Sequence, residues 1–288
     1  LASTREITPK DLPNTVRAIG EKGLDYGNSN LGEGKRLLLE FVSANPTGPV
    51  AVVQGRAAAI GDALANLFTR IGWQVSREYY INDAGRQMKL LGASVYARYR
   101  ELVGLPAAFP EDGYHGSYIR AVAERIRAAE GDRLASMPAE DAEARCRELA
   151  YRELLGLIRD DLRSFGLEFD SWVSEASLIA SGAVEQSLAD LKQRDLLFEE
   201  GGALWFRSSR FGDEKDRVVR KQDGECTYLA SDIAYHRDKL RRGYDLLVDV
   251  WGADHHGYIP RMQAVMQAYG HPKERLQVVL VQLVKLLR

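Results

Sequence analysis

Residues 37–42 read LLLEFV, an almost unbroken apolar run that Pro46, Gly48 and Pro49 bring to an end. Such a run belongs to a strand covered on both faces, as in a parallel sheet. From Gly55 the period changes, and Ile60, Leu64, Leu67 and Ile71 recur three or four apart on one helix face before Gly72 stops it. Residues 74–81 supply the next strand. Strand, loop, helix, strand is a βαβ unit, and its loop lies where nucleotides bind such sheets.

A helix follows over 83–105, with Met88, Leu91, Val95 and Tyr99 on one face and Gly104 and Pro106 at its end. After a Pro/Gly loop, residues 117–163 are rich in Ala, Glu and Arg, broken only near Gly131 and Pro138. That composition predicts an exposed helical hairpin with a solvated charged face. A strand at 169–175, a helix at 181–193 and a hairpin at 196–207 come next, then a strand pair, 216–220 with 225–229, turning at Asp223 and Gly224. The βαβ grammar then returns: helix 231–240, strand 245–251, helix 256–269, strand 276–287. The expected class is α/β, a Rossmann-like doubly wound parallel sheet split by a mixed α+β insertion. Its expected division is a 1–35 tail of an upstream domain with a short helix at 8–22, a first catalytic half over 36–109, a connective insertion over 110–226 and a second half over 227–288. The chain also reads as cut at both ends.

Composition narrows the function classes. A net charge of −2 argues against a surface built to coat polyanions, though not against a local basic face. No apolar run approaches the roughly 20 residues of a membrane span. Cys146 and Cys226 are far apart and neither has a C-x-x-C partner, so a reducing cytoplasm is expected, with no zinc site and no disulfide framework.

Three polar clusters fall at the ends of expected strands, where ligands bind open α/β sheets. They are residues 43–55, residues 80–87 (YINDAGRQ) and residues 251–258 (WGADHHGY). A fourth cluster opens a helix and sets Tyr228 and Asp232 four apart on one face. Plainer readings exist for each: Asp83 and Asp254 suit N-caps, Gly252 and Gly257 tight turns, and Tyr228 a core aromatic. The adjacent His255 and His256 do not face each other on a helix, so no metal site is expected.

ANPTGP, Glu78 followed by YYINDAGRQ, TYLASDIAYH and VWGADHHGYIPRM occur together in this order. They resemble the catalytic core of class I arginyl-tRNA synthetases, over nearly the whole chain from about residue 20. The resemblance implies an arginine–tRNA ligase that forms an arginyl-adenylate from L-arginine and ATP, with Mg2+ accompanying ATP, and charges the 3′ end of tRNA(Arg). It places arginine against Asn45, Glu78, Asn82, Tyr228, Asp232 and His255, with Asp232 gripping the guanidinium and Glu78 adding a second anion. ATP falls at Ser43, Pro49, Ala51, Gln54, Gly252 and Asp254, and the chemistry at Gln54, Gly55 and Arg56, while Gln87 lines the same crevice. The family resembled is usually monomeric.

One departure stands out. The family carries a His-x-Gly-His tetrad where this chain has Ala51, Val52, Val53 and Gln54. Those histidines donate to the ATP phosphates. Ala51 donates nothing, Gln54 keeps one neutral donor, and a branched Val53 crowds adenine; each lost donor costs about 10²–10³ in rate. A Lys-rich loop of the KMSKS kind and a helical anticodon-binding domain, both expected of the family, do not occur in the sequence. The alternative reading is a synthetase-derived paralogue that binds arginine, nucleotide or RNA without charging tRNA. RNA contacts are expected among Arg207, Arg210, Lys215, Arg217, Arg220 and Lys221, and along Arg237, Lys239, Arg241 and Arg242.

Overall fold

The computed structural model describes residues 11–282 and 284. Five parallel strands form the central sheet: β1 (Arg36–Glu40), β2 (Gln74–Ile81), β3 (Ser171–Ser174), β7 (Leu246–Gly252) and β8 (Leu276–Val281), in the order β3-β2-β1-β7-β8. Between β3 and β7 the chain leaves the sheet to build the antiparallel meander β4 (Leu197–Glu200), β5 (Ala203–Phe206) and β6 (Arg217–Arg220). The helices are α1 (Asp11–Lys22), α2 (Val52–Arg70), α3 (Arg86–Leu102), α4 (Ser117–Glu130) and α5 (Ala139–Ser164), then α6 (Glu175–Ala180), α7 (Ala183–Gln193), α8 (Tyr228–Arg241) and α9 (Ile259–Ala268).

Side-chain alternation along β1 explains the layers. Leu37, Leu39 and Phe41 enter a core with Ala58 and Ala65 of α2 and Ile158 and Leu162 of α5. Leu38 enters the opposite core with Leu247, α8 and α9. A strand wedged between two helical layers has to be apolar throughout, which is what LLLEFV announced. The chain order reverses at the centre: β1 pairs with β2 on one side and β7 on the other, which sets a ligand crevice beyond their C-terminal ends.

Several boundaries differ from expectation for local reasons. β1 stops at Glu40 because Val42 and Ser43 both take positive φ, 70° and 38°, a turn no strand accommodates. α2 begins at Val52, three residues before Gly55. The expected strand at 225–229 is reduced to a single bridge between Arg220 and Cys226, and α8 starts at Tyr228. β6 pairs with β5 instead. The segment 117–163 is not an exposed hairpin. Ile119, Val122 and Ile126 of α4 and Cys146, Ala150 and Leu154 of α5 bury against Leu91, Val95 and Tyr99 of α3, so only the outer faces are solvated. Residues 8–10, 283 and 285–288 of the expected terminal elements lie outside the described residues.

Candidate active site

Three strands place acidic residues in one row. In the parallel register Glu78 of β2 lies beside Glu40 of β1, which lies beside Asp249 of β7. Register partners in a parallel sheet share a face, so three carboxylates project side by side toward α8. That helix answers with His236, Lys239 and Arg242, three residues apart along one face. Lys239 Nζ donates to Glu40 Oε2 at 2.5 Å and to Asp249 Oδ1 at 2.8 Å. His236 Nε2 lies 3.1 Å from Asp249 Oδ2, and its Nδ1 donates to the Asp232 carbonyl at 2.9 Å. Arg242 grips both oxygens of Glu78 at 2.5 and 2.8 Å. Burial pushes Asp249 up, but Lys239 and His236 outweigh it and hold the carboxyl at about 2. Glu40 goes the other way: its burial outweighs the same ammonium and raises it. Lys239 is fully buried, and a pair of this kind broken on one side costs about 3–5 kcal/mol.

Above this row opens a cavity of about 670 Å³. Of the residues chosen from sequence, the fold brings Ser43, Asn45, Asn82, Tyr228, Asp232, Gly252 and His255 to its wall, together with Gln87. Asn45 donates to Gln87 Oε1 at 2.6 Å. Asp232 accepts from the Tyr258 hydroxyl; burial raises its carboxyl above the usual aspartate range. Glu175, at the start of α6, is 4% exposed and also raised, first by burial and then by the nearby Asp232, against a hydrogen bond from Ser231. Neither carboxylate belongs to the α8 ladder, and among the described residues neither forms an ion pair.

The loop from β1 into α2 is fastened from outside. Ser43 Oγ donates to Glu40 at 2.9 Å and accepts from the Tyr80 N–H at 3.1 Å. The Tyr79 hydroxyl donates to the Ala44 carbonyl at 2.8 Å, and the Tyr118 hydroxyl of α4 to the Thr47 carbonyl at 2.9 Å. Two adjacent positive-φ residues without glycine store strain of roughly 1–3 kcal/mol each, and these contacts hold them in place.

Other chosen residues are not brought to the cavity wall. Pro49, Ala51, Gln54, Gly55 and Arg56 lie along the entry to α2. There Ala51 is the N-cap and has no side-chain oxygen, while Gln54 Oε1 turns back to accept the Ala51 N–H at 3.0 Å. Arg56 is exposed and donates to the Gln282 carbonyl at 3.3 Å. Asp254 is largely exposed beside His255 Nδ1, at 3.2 Å. Glu78 calls for a correction: with Arg242 on both oxygens, plus the hydroxyls of Tyr235 and Ser171 at 2.7 and 2.6 Å, it is a fully engaged anion beneath the site rather than a free one within it. Asp83 does not cap its own helix. It accepts from the Ala176 N–H and the Ser174 and Tyr151 hydroxyls, clamping α6 so that Glu175 faces Asp232.

Sequence reasoning missed Glu40, Glu175, His236, Lys239, Asp249 and Tyr258. A signal existed for two of them: a lone acid inside LLLEFV or LLVDVW must meet a buried partner. Lys239, expected from sequence among the RNA contacts, is completely buried, which removes it from that role. Arg217, Arg220, Lys221 and Arg237 of the same set are paired with Asp213, Glu185, Glu225 and Asp190. Among the described residues no group of three or more His, Cys, Asp or Glu is placed to hold a metal ion.

Residues 15–282 match the family described as tRNA synthetases class I (R), catalytic domain. The chain belongs to this arginyl-tRNA synthetase family. It is 52% identical over 282 residues to an arginine–tRNA ligase of Desulfosudis oleivorans, covering 98% of this chain and 51% of that relative. It is 50% identical over 275 residues to one of Bacillus cereus, covering 96% of this chain and 50% of the relative. The chain thus spans about half the length of the curated relatives it matches. A Campylobacter jejuni structure assigned as an arginyl-tRNA synthetase superposes with a TM-score of 0.86 at 37% identity, over 96% of this chain and 61% of that one. The Thermus thermophilus arginyl-tRNA synthetase, at 21% identity and TM-score 0.63 over 93% of this chain and 52% of that one, supports the fold alone. The parallel sheet and its crevice are therefore those of a class I synthetase core.

Proposed function

We propose that the chain is the catalytic part of an arginine–tRNA ligase, activating L-arginine with ATP, supplied as its magnesium complex, and passing the arginine to the 3′ end of tRNA(Arg). The observation that carries this reading is the pair Asp232 and Glu175. Every acid of the buried row meets Lys239 or Arg242, whereas Asp232 lines the cavity with the buried Glu175 close behind it, and among the described residues neither has an ion-pair partner. A ligand with a fixed, planar, multiply donating cation answers both, and a guanidinium is that group. A neutral side chain leaves two buried carboxylates uncompensated, which is how such a site rejects it.

Tyr228 stands at the cavity mouth, 66% exposed, able to close over the bound end group. Asn45 and Asn82 serve the amino and carboxylate groups, His255 lines the same wall, and Gly252 and Asp254 serve the nucleotide. A side chain at Gly252 would meet Asp254 Oδ1, so the bare backbone leaves that carboxylate its present position. Phosphates are left to the N–H groups opening α2, with Ser43 and Pro49 at its approach. Ala51 gives them no side-chain donor, and Gln54 has only its Nε2 to offer. Adenylate formation is accordingly slow in this chain. The ligase reading is preferred over a binding-only paralogue because relatives at half identity are named arginine–tRNA ligases.

The test is calorimetric titration of arginine, lysine and citrulline, alongside arginine-dependent ATP–pyrophosphate exchange with tRNA(Arg) present. Arginine alone should bind, with slow exchange. Failure of arginine to bind at millimolar concentration would sink the reading; binding with no exchange at all would favour the paralogue.

A further inference from the structure

Lys239 touches no part of the cavity, yet it is the hub of a continuous chain between the two ends of the site. Starting from the loop, Ser43 Oγ donates to Glu40 at 2.9 Å. Lys239 Nζ bridges Glu40 at 2.5 Å and Asp249 at 2.8 Å. Asp249 meets His236 at 3.1 Å, and His236 meets the Asp232 carbonyl at 2.9 Å. Ser43, Glu40, Asp249, His236 and Asp232 all line the cavity; Lys239 alone is fully enclosed.

We propose that Lys239 is a positioning residue that couples the nucleotide-side loop at Ser43 to the arginine-side turn at Asp232. The physical reason is that one ammonium holds two carboxylates on neighbouring strands at a fixed separation. A shift of Ser43 moves Glu40, Glu40 can move only with the ammonium, and Asp249 then carries the displacement to His236 and the turn bearing Asp232. Lys239 has no solvent exposure and bonds both carboxylates directly, so bulk solvent screens the interaction little. Without the ammonium, the two acids repel and each end of the site relaxes independently. This inference rests on the arginine and ATP reading above, and it concerns linkage between those ligands rather than contact with either.

The experiment measures arginine affinity by calorimetry with and without a saturating non-hydrolysable ATP analogue, in the unmodified chain and in Lys239→Met. The unmodified chain should bind arginine about fivefold or more tightly when the analogue is present. Lys239→Met should bring that ratio to within twofold of one. A purely structural lysine would lower the melting temperature and leave the ratio intact in the folded protein. Should Lys239→Met not fold, the charge-balanced pair Glu40→Gln with Lys239→Met carries the same expectation, since Gln keeps an acceptor for Ser43. A ratio near one in the unmodified chain, or an undiminished ratio in the variants, overturns the proposal. An unmodified chain that binds no arginine overturns the functional reading instead, and this inference with it.

Discussion

The two ends of the crevice are furnished very differently. At the α8 end, charge is met by charge: three acids in register on three strands face His236, Lys239 and Arg242 along α8 and its C-cap, and one further carboxylate, Asp232, lines the cavity with Glu175 beside it. At the α2 end there is an alanine N-cap, a glutamine folded back on its own turn and an arginine reaching for a backbone carbonyl. On the reading proposed above, the first end is the one that recognises a cation. The second offers phosphates little beyond peptide N–H groups. On that reading, recognition of the amino acid and stabilisation of the reacting phosphates would sit on separate elements and could be altered separately.

That contrast can be broken most forcefully by restoring the poor end. Ala51→His with Val53→Gly and Gln54→His should raise ATP–pyrophosphate exchange by about 10²–10³ per recovered donor, with arginine affinity changed little. An unchanged exchange rate would mean that the α2 end is not what limits the chain. Damage to the rich end should be nearly as large. Asp232→Ala leaves a buried guanidinium without its carboxylate, and arginine binding should weaken about 100-fold or more by calorimetry. Nucleotide affinity measured in the same protein should move far less.

Acid should act on the rich end alone. Arginine stays cationic, so it pairs only with ionised Asp232 and Glu175. Both carboxyls are raised by burial, so arginine affinity should climb with pH to a point above the ordinary carboxylate value and fall as acid protonates them. A pH titration of affinity that is flat through this range, or that matches ordinary carboxylates, would contradict the assignment. The smallest expected effect is at the loop. Tyr118→Phe frees the Thr47 carbonyl and should weaken nucleotide binding about two- to tenfold while sparing arginine.

Much of this molecule was legible before any coordinates. The apolar run at 37–42 implied a strand covered on both faces, and the helical hairpin at 117–163 was visible in outline though not its packing against α3. Tyr228 and Asp232 were placed together because four residues on a helix make neighbours, and the fold keeps them so. The buried ladder was hidden for a specific reason. Register between β1, β2 and β7 is a property of pairing across long separations, and no local period reveals that Glu78, Glu40 and Asp249 lie in one row. Lys239 read as one more surface cation because only tertiary packing buries it. Glu175 was unplaceable for a similar reason: it depends on Asp83, 92 positions earlier, to hold α6 with this acid near Asp232.

The hydroxyl of Tyr118 carries a consequence of another kind. It arises on α4, in the helical layer whose core is shared with α3 and α5, and it ends on the loop that leads into α2. The loop is therefore tethered to a helix, α4, that contributes no residue to the cavity wall. Leaning that layer toward or away from the sheet would pull on Thr47 much as a hand pulls a latch string. Anything that rests on the outer faces of those helices would then have a mechanical hold on the shape of that loop.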